Sequence, residues 1–272
     1  MSARSFLSKT AACAGAGAAA WLAAATPVSA SPWGRGAGRL FLSTRADYFT
    51  ATRESGEPAA LGPVRFERYE TNSYAEIGVG WKTMLGVKVV YGSSTYFDGF
   101  TEYSASGFSE VEAFAQREVF RDGRQVLAVR VAGAAPSRLQ TGARQGLASD
   151  RADAEARIVY GRTLAEKPVK IFGAVEAGYR RRFGAGADQF RGDALLGVEP
   201  ARKILGLLEL FSTKSLGEGE PGGGAYDVVK IQPSLVWRAT KRWSFQAGVT
   251  HEAWGRNLLL GDTYFLSLWT EF

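Results

Sequence analysis

The closing segment Tyr264-Phe265-Leu266-Ser267-Leu268-Trp269-Thr270-Glu271-Phe272 alternates with period two. Tyr264, Leu266, Leu268, Thr270 and Phe272 share one parity; Phe265, Ser267, Trp269 and Glu271 share the other. Successive side chains of a β-strand point to opposite faces, so one side can meet hydrocarbon while the other meets a mixed interior.

Working backward, the same alternation predicts about twelve strands. Their expected outward rows begin with Leu40, Leu42, Ala46 and Tyr48, then Ala75, Ile77 and Val79, then Leu85, Val87, Val89 and Tyr91. Val111, Ala113 and Ala115 follow, then Leu127, Val129 and Val131, then Ala156, Ile158 and Tyr160. The later rows are Val175, Ala177 and Tyr179; Ala194, Leu196 and Val198; Leu208 and Leu210; Val229, Ile231, Leu235 and Trp237; and Phe245, Ala247 and Val249. Several rows end in Tyr or Trp, which favour the headgroup boundary of a bilayer.

Alternation alone also fits a soluble barrel turned inside out. The connectors decide between them. Gly80–Thr83, Asp122–Arg124, Pro200–Lys203 and Ala239–Arg242 are short, whereas stretches near 50–64, 93–107, 133–152 and 212–225 read as long loops rich in Gly, Ser and Pro. Short turns at one rim and long loops at the other predict an all-β, antiparallel, up-and-down transmembrane β-barrel. An even strand count brings both chain ends to the short-turn rim. Phe272 then stands where the barrel-assembly machinery of the outer membrane would read it. Three details fit less smoothly. Arg117 falls on the outward parity near a turn, where it can snorkel. Pro233 interrupts a segment expected to pair on both sides, which costs a ladder hydrogen bond unless a bulge sits there. The stretch 161–168 is long for a turn at the short-loop rim.

The first thirty residues stand apart. Arg4 and Lys9 precede a small-residue apolar run from Ala11 to Ala25, and Val28-Ser29-Ala30 places small residues where a signal peptidase cuts. Residues 1–30 are therefore expected to be a cleavable signal peptide and 31–272 the barrel domain. Cys13, the single cysteine, lies inside that leader, and a lipoprotein reading would want a longer apolar run before it. Without it the mature chain can form neither a disulfide nor a thiolate metal site. Removing Arg4 and Lys9 from the 33 basic residues leaves 31 against 27 acids. That mild excess, with no basic face, argues against a nucleic-acid partner. The longest apolar run of the mature part, Ile204 to Phe211, is broken by Glu209 and is too short for a membrane helix.

The inward parity carries the charges. Arg45, Asp47, Arg68, Glu70, Glu76, Lys88, Glu112 and Arg130 fall there in the first half, and Glu110 beside them. Glu155, Arg157, Glu176, Arg180, Glu209, Lys230 and Glu252 follow in the second, with Arg191 and Asp193. Facing lipid, a basic group at the midplane would cost about 2–4 kcal/mol. Inside a wet lumen opposite signs on neighbouring strands can pair. These residues are the expected lumen lining, either as structural lacing or as a polar path that selects a solute.

Other chemistry is sparse. His251, the only histidine, stands beside Glu252, but it shares the outward parity and no Ser-His motif exists for nucleophilic catalysis. Gly222-Gly223-Gly224 lacks the following Lys-Ser/Thr and helix of a phosphate loop. No metal or cofactor is expected. Arg180-Arg181-Arg182, at the long-loop side, could touch the acidic lipopolysaccharide of the outer leaflet.

Tyr74–Val79, the turn after it and Leu85-Gly86-Val87 resemble a strand–turn–strand common in Gram-negative outer-membrane barrels. The stretches Arg117–Arg124 and Ala156–Gly161, then Gly255-Arg256-Asn257 and Leu266–Trp269, resemble the XagA-like group of outer-membrane barrels. Val119-Phe120 stands where that group would carry a Leu-Trp-like pair. The resemblance implies an outer-membrane location, a link to exopolysaccharide export or envelope maintenance, polysaccharide-export components as partners, and no catalytic residues. A non-enzymatic, porin-like barrel is the expectation. The alternatives are a lipid- or lipopolysaccharide-modifying enzyme and a structural or adhesive barrel acting through its loops.

Overall fold

The computed structural model describes residues 32–54, 65–97, 99–136, 138–141, 152–184, 186–218 and 225–272; the expected signal peptide and Gly222–Gly224 lie outside them. The described residues form strands and no helix. The strands are β1 (Leu40–Glu54), β2 (Arg65–Gly80), β3 (Thr83–Phe97), β4 (Glu102–Arg121), β5 (Gln125–Ala135) and β6 (Arg138–Thr141). β7 (Asp153–Ala165), β8 (Lys170–Arg182), β9 (Asp188–Ala201) and β10 (Ile204–Leu216) follow. β11 (Asp227–Arg238), β12 (Trp243–Arg256) and β13 (Leu259–Glu271) complete the sheet.

Each strand pairs antiparallel with its chain neighbours, and β13 returns to β1. The short β6 continues the wall of β5 past Pro136, both lying against β4, so twelve staves close the barrel. Closure reaches the last residue. Leu40 and Phe272 exchange both backbone hydrogen bonds, at 3.1 and 2.9 Å. Both described chain ends therefore sit at one rim, here the near end.

The parity reading holds through the wall. Leu42, Val87, Val129, Ile158, Val175, Leu208 and Leu266 are exposed, while their sequence neighbours Ser43, Lys88, Arg130, Arg157, Glu176, Glu209 and Ser267 are buried. A closed ring presenting an apolar belt this continuous spans a membrane, because no water-soluble monomer tolerates so large an exposed patch.

The near-end turns are tight. Trp81 and Lys82 both adopt left-handed φ, 48° and 58°, giving β2 and β3 the kind of turn that matches strand twist. Asp122 accepts the backbone N–H of Arg124 (2.8 Å) and of Gln125 (2.9 Å), and these bonds hold its carboxyl below the usual carboxylate range. β7 runs on to Ala165, which shortens the stretch 161–168 to an ordinary turn.

One expectation changes. The stretch 93–107 is mostly strand: β3 and β4 stay paired out to Phe97↔Glu102, because Ser and Gly there still alternate with Tyr96 and Tyr103, which stack across the hairpin. At Pro233 the first of the two alternatives holds, a lapse in the ladder, and the irregularity of this strand pair lies at Val229/Lys230 instead. Pro233 pairs with Leu208 of β10, while the ladder to β12 lapses between Ile231↔His251 and Ser234↔Gly248 and resumes in the same register. Gln232 and Pro233 have no ladder partner on that side, and Thr250 Oγ1 donates to Gln232 Oε1 across the gap (2.6 Å).

Inside, two apolar layers flank a charged one. Phe41, Tyr74, Met84 and Phe114 pack near the chain ends, joined through Trp269 to Leu205, Leu207 and Val236. Phe49, Ala51, Phe66 and Leu259, with Tyr226, Val228 and Leu258, pack toward the far end. Glycines seat the near-end aromatics. A Cβ on Gly86 would stand 2.2 Å from Phe114 Cζ, so Gly86→Ala is expected to displace that ring and cost about 1–3 kcal/mol. Urea titration of the refolded barrel checks this, and an unchanged midpoint would mean that Phe114 does not rest on Gly86.

Candidate functional site: a charge-laced interior

The residues singled out above as inward all turn into the barrel, and most have a named charged partner there. Arg157 on β7 is a hub: it meets Glu155 on its own strand, Glu176 on β8 (3.3 Å) and Asp193 on β9. Arg130 on β5 reaches the same Glu176 (3.2 Å) and fixes Gln116 Oε1 with two bonds of 3.0 and 2.8 Å. Arg180 bridges back to Glu112 of β4 (2.5 Å) and to Glu155 (3.0 Å), which Arg191 also approaches (3.1 Å). Lys88 pairs with Glu110 at 2.6 Å. Arg180 also has Glu110 at 3.8 Å, so six adjacent staves, from β3 to β9, are laced by one network.

A second group occupies the opposite wall. Arg45 pairs with Asp47 (2.6 Å), stacks 3.6 Å over the Phe265 ring, and donates to Gln232 Oε1 on β11 (3.0 Å). Gln232 donates in turn to Glu209 (2.5 Å). Arg68 pairs with Glu70 (3.1 Å), and Lys230 with Glu252 (3.0 Å). Alternation explains the rest: of Arg180-Arg181-Arg182, only Arg181 points outward, where it pairs with Asp188 at 2.7 Å. Arg180 and Arg182 turn inward.

Charged pairs this enclosed gain little net stability, since desolvation offsets most of their attraction. They do hold opposing staves at fixed separations and narrow the passage. Polar capacity is left over: Arg45 Nη2, Asp47 Oδ2 and Glu176 Oε1 are buried without a protein partner. Such atoms are ordinarily satisfied by water, so this layer is one that hydrates.

Glu76 lies apart, toward the near end. It accepts from Tyr74 OH (2.5 Å) and pairs with Arg35, a residue ahead of β1 that sequence reasoning passed over. Gln116, Gln232 and Gln246 were also passed over, because alternation flags charge more readily than an amide; each is almost fully buried. Their inward parity was the available signal. His251 stands on the outer surface, more than half exposed, with Nδ1 2.7 Å from Asp262 Oδ1. Among the described residues no serine hydroxyl bonds to its ring, and no cluster of metal-ligating side chains occurs.

No protein-family model matches the chain, and no curated protein matches it. Solved structures do. An outer membrane channel from Pseudomonas putida F1 is similar with a TM-score of 0.71 at 12% identity, covering 90% of this chain and 100% of its own. The NanC porin is similar with a TM-score of 0.56 at 9% identity, covering 84% and 98%. The translocator domain of the autotransporter NalP from Neisseria meningitidis is similar at 0.52 and 9% identity, covering 88% and 90%. At these identities the likeness establishes the fold, that of outer-membrane channels and porins, and leaves the solute open.

Proposed function

We propose that the chain is a narrow channel of the outer membrane that rests closed, acting without enzymatic chemistry. The observation that carries this reading is the charged, incompletely satisfied layer enclosed by a complete ring of staves between two apolar layers. Apolar constrictions close a pore by shedding water, while a polar layer lets ions or polar solutes cross once the pore is wet. Twelve staves give a bore between that of barrels filled by side chains and that of open porins. In an outer membrane the near end faces the periplasm. The cargo we propose is a surface polysaccharide, supported by the resemblance of Arg117–Arg124 and Ala156–Gly161 to exopolysaccharide-linked barrels. Export components would then be its partners, Arg181 a contact for lipopolysaccharide, and Phe272 the handle for assembly.

Planar-bilayer recording tests conduction. The wild type is expected to show small, infrequent current steps. A double variant, Arg45→Ser with Gln232→Ser, removes the bridge from β1 to β11 and is expected to raise unit conductance about twofold or more, in keeping with pores gated by side-chain contacts. Silence from both proteins at every voltage would favour the second reading, a structural or adhesive barrel, for which the near-complete burial of Arg45, Gln232 and Glu209 speaks. Retention of periplasmic polysaccharide in a deletion strain is the matching test of cargo; unchanged export would remove that part of the proposal.

A further inference from the structure

Residues 32–38 do not extend the wall. They cross the near mouth of the barrel and touch a half-circle of staves. Gly38 N–H donates to Gly78 O on β2 (2.8 Å), and Gly34 N–H donates to Glu118 Oε1 on β4 (2.7 Å). Trp33 packs edge-on to Phe172 on β8, with centroids 5.7 Å apart. The wall is shaped to receive this strap. A Cβ on Gly161 of β7 would stand 2.5 Å from Pro32 Cγ, and one on Gly78 would stand 2.2 Å from Gly36 O. Neither position tolerates a side chain while the strap is seated.

The strap carries one cation into the mouth. Arg35 lies 4.3 Å over the Phe41 ring, pairs with Glu76, and has Glu271 at 3.8 Å. Every other member of this cage belongs to the barrel. Glu76 is enclosed, and a carboxylate in that position draws a cation from wherever one is available. Two carboxylates beside an aromatic face suit a planar guanidinium better than a compact ammonium. Next to the cage lies a cavity of about 370 Å³ walled in part by Trp33, Phe172, Leu195 and Trp269, with room for the body of a ligand.

We propose that the Phe41–Glu76–Glu271 cage is a guanidinium-binding site of the barrel, filled at rest by the chain's own Arg35, and that a small organic cation bearing a guanidinium group competes for it and unseats the strap. The site needs no conduction to exist; if the channel reading holds, unseating also clears the inner mouth.

Hydrogen exchange followed by mass spectrometry on the full processed chain in liposomes tests this, with methylguanidinium chloride as probe and potassium chloride at equal ionic strength as control. Methylguanidinium at millimolar concentration is expected to speed exchange across residues 32–38 about tenfold while leaving the strands unchanged, as for a local opening. Arg35→Ala is expected to exchange as fast without the probe, and Arg35→Lys to fall between. Glu76→Gln should expose the strap and abolish the response. A strap that exchanges equally in the wild type, in Arg35→Ala and with methylguanidinium present would overturn the assignment, as would an equal effect of potassium. Strap release without current in any variant would leave the cage standing and remove only the channel. Current without strap release would do the reverse.

Discussion

Arg157→Ala is expected to lower the stability of the refolded barrel by about 3–5 kcal/mol, the cost of removing one partner from an enclosed ion pair. The guanidinium is 8% exposed and faces Glu155, Glu176 and Asp193, each exposed less than that. Without it Asp193 loses the guanidinium it pairs with, and three carboxylates confront one another. Arg130 still reaches Glu176, and Arg180 and Arg191 still reach Glu155, which keeps the loss near the lower bound. Arg157→Lys keeps the charge but not the fork that bridges two strands, so it should recover only part of the loss. Urea titration in micelles followed by tryptophan fluorescence measures both. A loss below about 1 kcal/mol would mean that the interior screens charges as bulk water does, and the passage would then be wide and wet.

The second large effect is on the outer face. Ile158, one residue along from the hub, is 59% exposed at the middle of β7. Ile158→Arg is expected to cost about 2–4 kcal/mol, because it places a cation at the bilayer midplane. Leu164→Arg, on the same face near the end of the strand, should cost about 0–1 kcal/mol. Refolding into liposomes of defined thickness reads the difference between them. Equal costs at the two depths would show that this face does not meet hydrocarbon.

Arg157 and Ile158 are adjacent in the sequence and probe opposite surfaces, which is why so much of the fold was legible. Tyr264 to Phe272 states its two faces outright, and the charged parity of Arg45, Glu155 or Lys230 names the interior without any knowledge of pairing. The short turns at Gly80–Thr83 and Asp122–Arg124 marked one rim. Less was legible where composition and geometry part company: the Ser- and Gly-rich stretch 93–107 reads as loop by its residues, yet it stays in the sheet through the cross-strand pair Tyr96 and Tyr103.

Side-chain direction in a strand follows from backbone geometry alone, so the sequence by itself determined the class of fold, the lipid-facing rows and the set of inward charges. Partner choice is a different matter. Arg45 meets Gln232 187 residues later and Gly34 meets Glu118 84 residues later, because closing twelve tilted staves brings distant strands to a common height. Only the tertiary structure could decide which charges lace together, and that Pro32–Gly38, a stretch with no periodicity of its own, lies across the mouth with Arg35 held over Phe41.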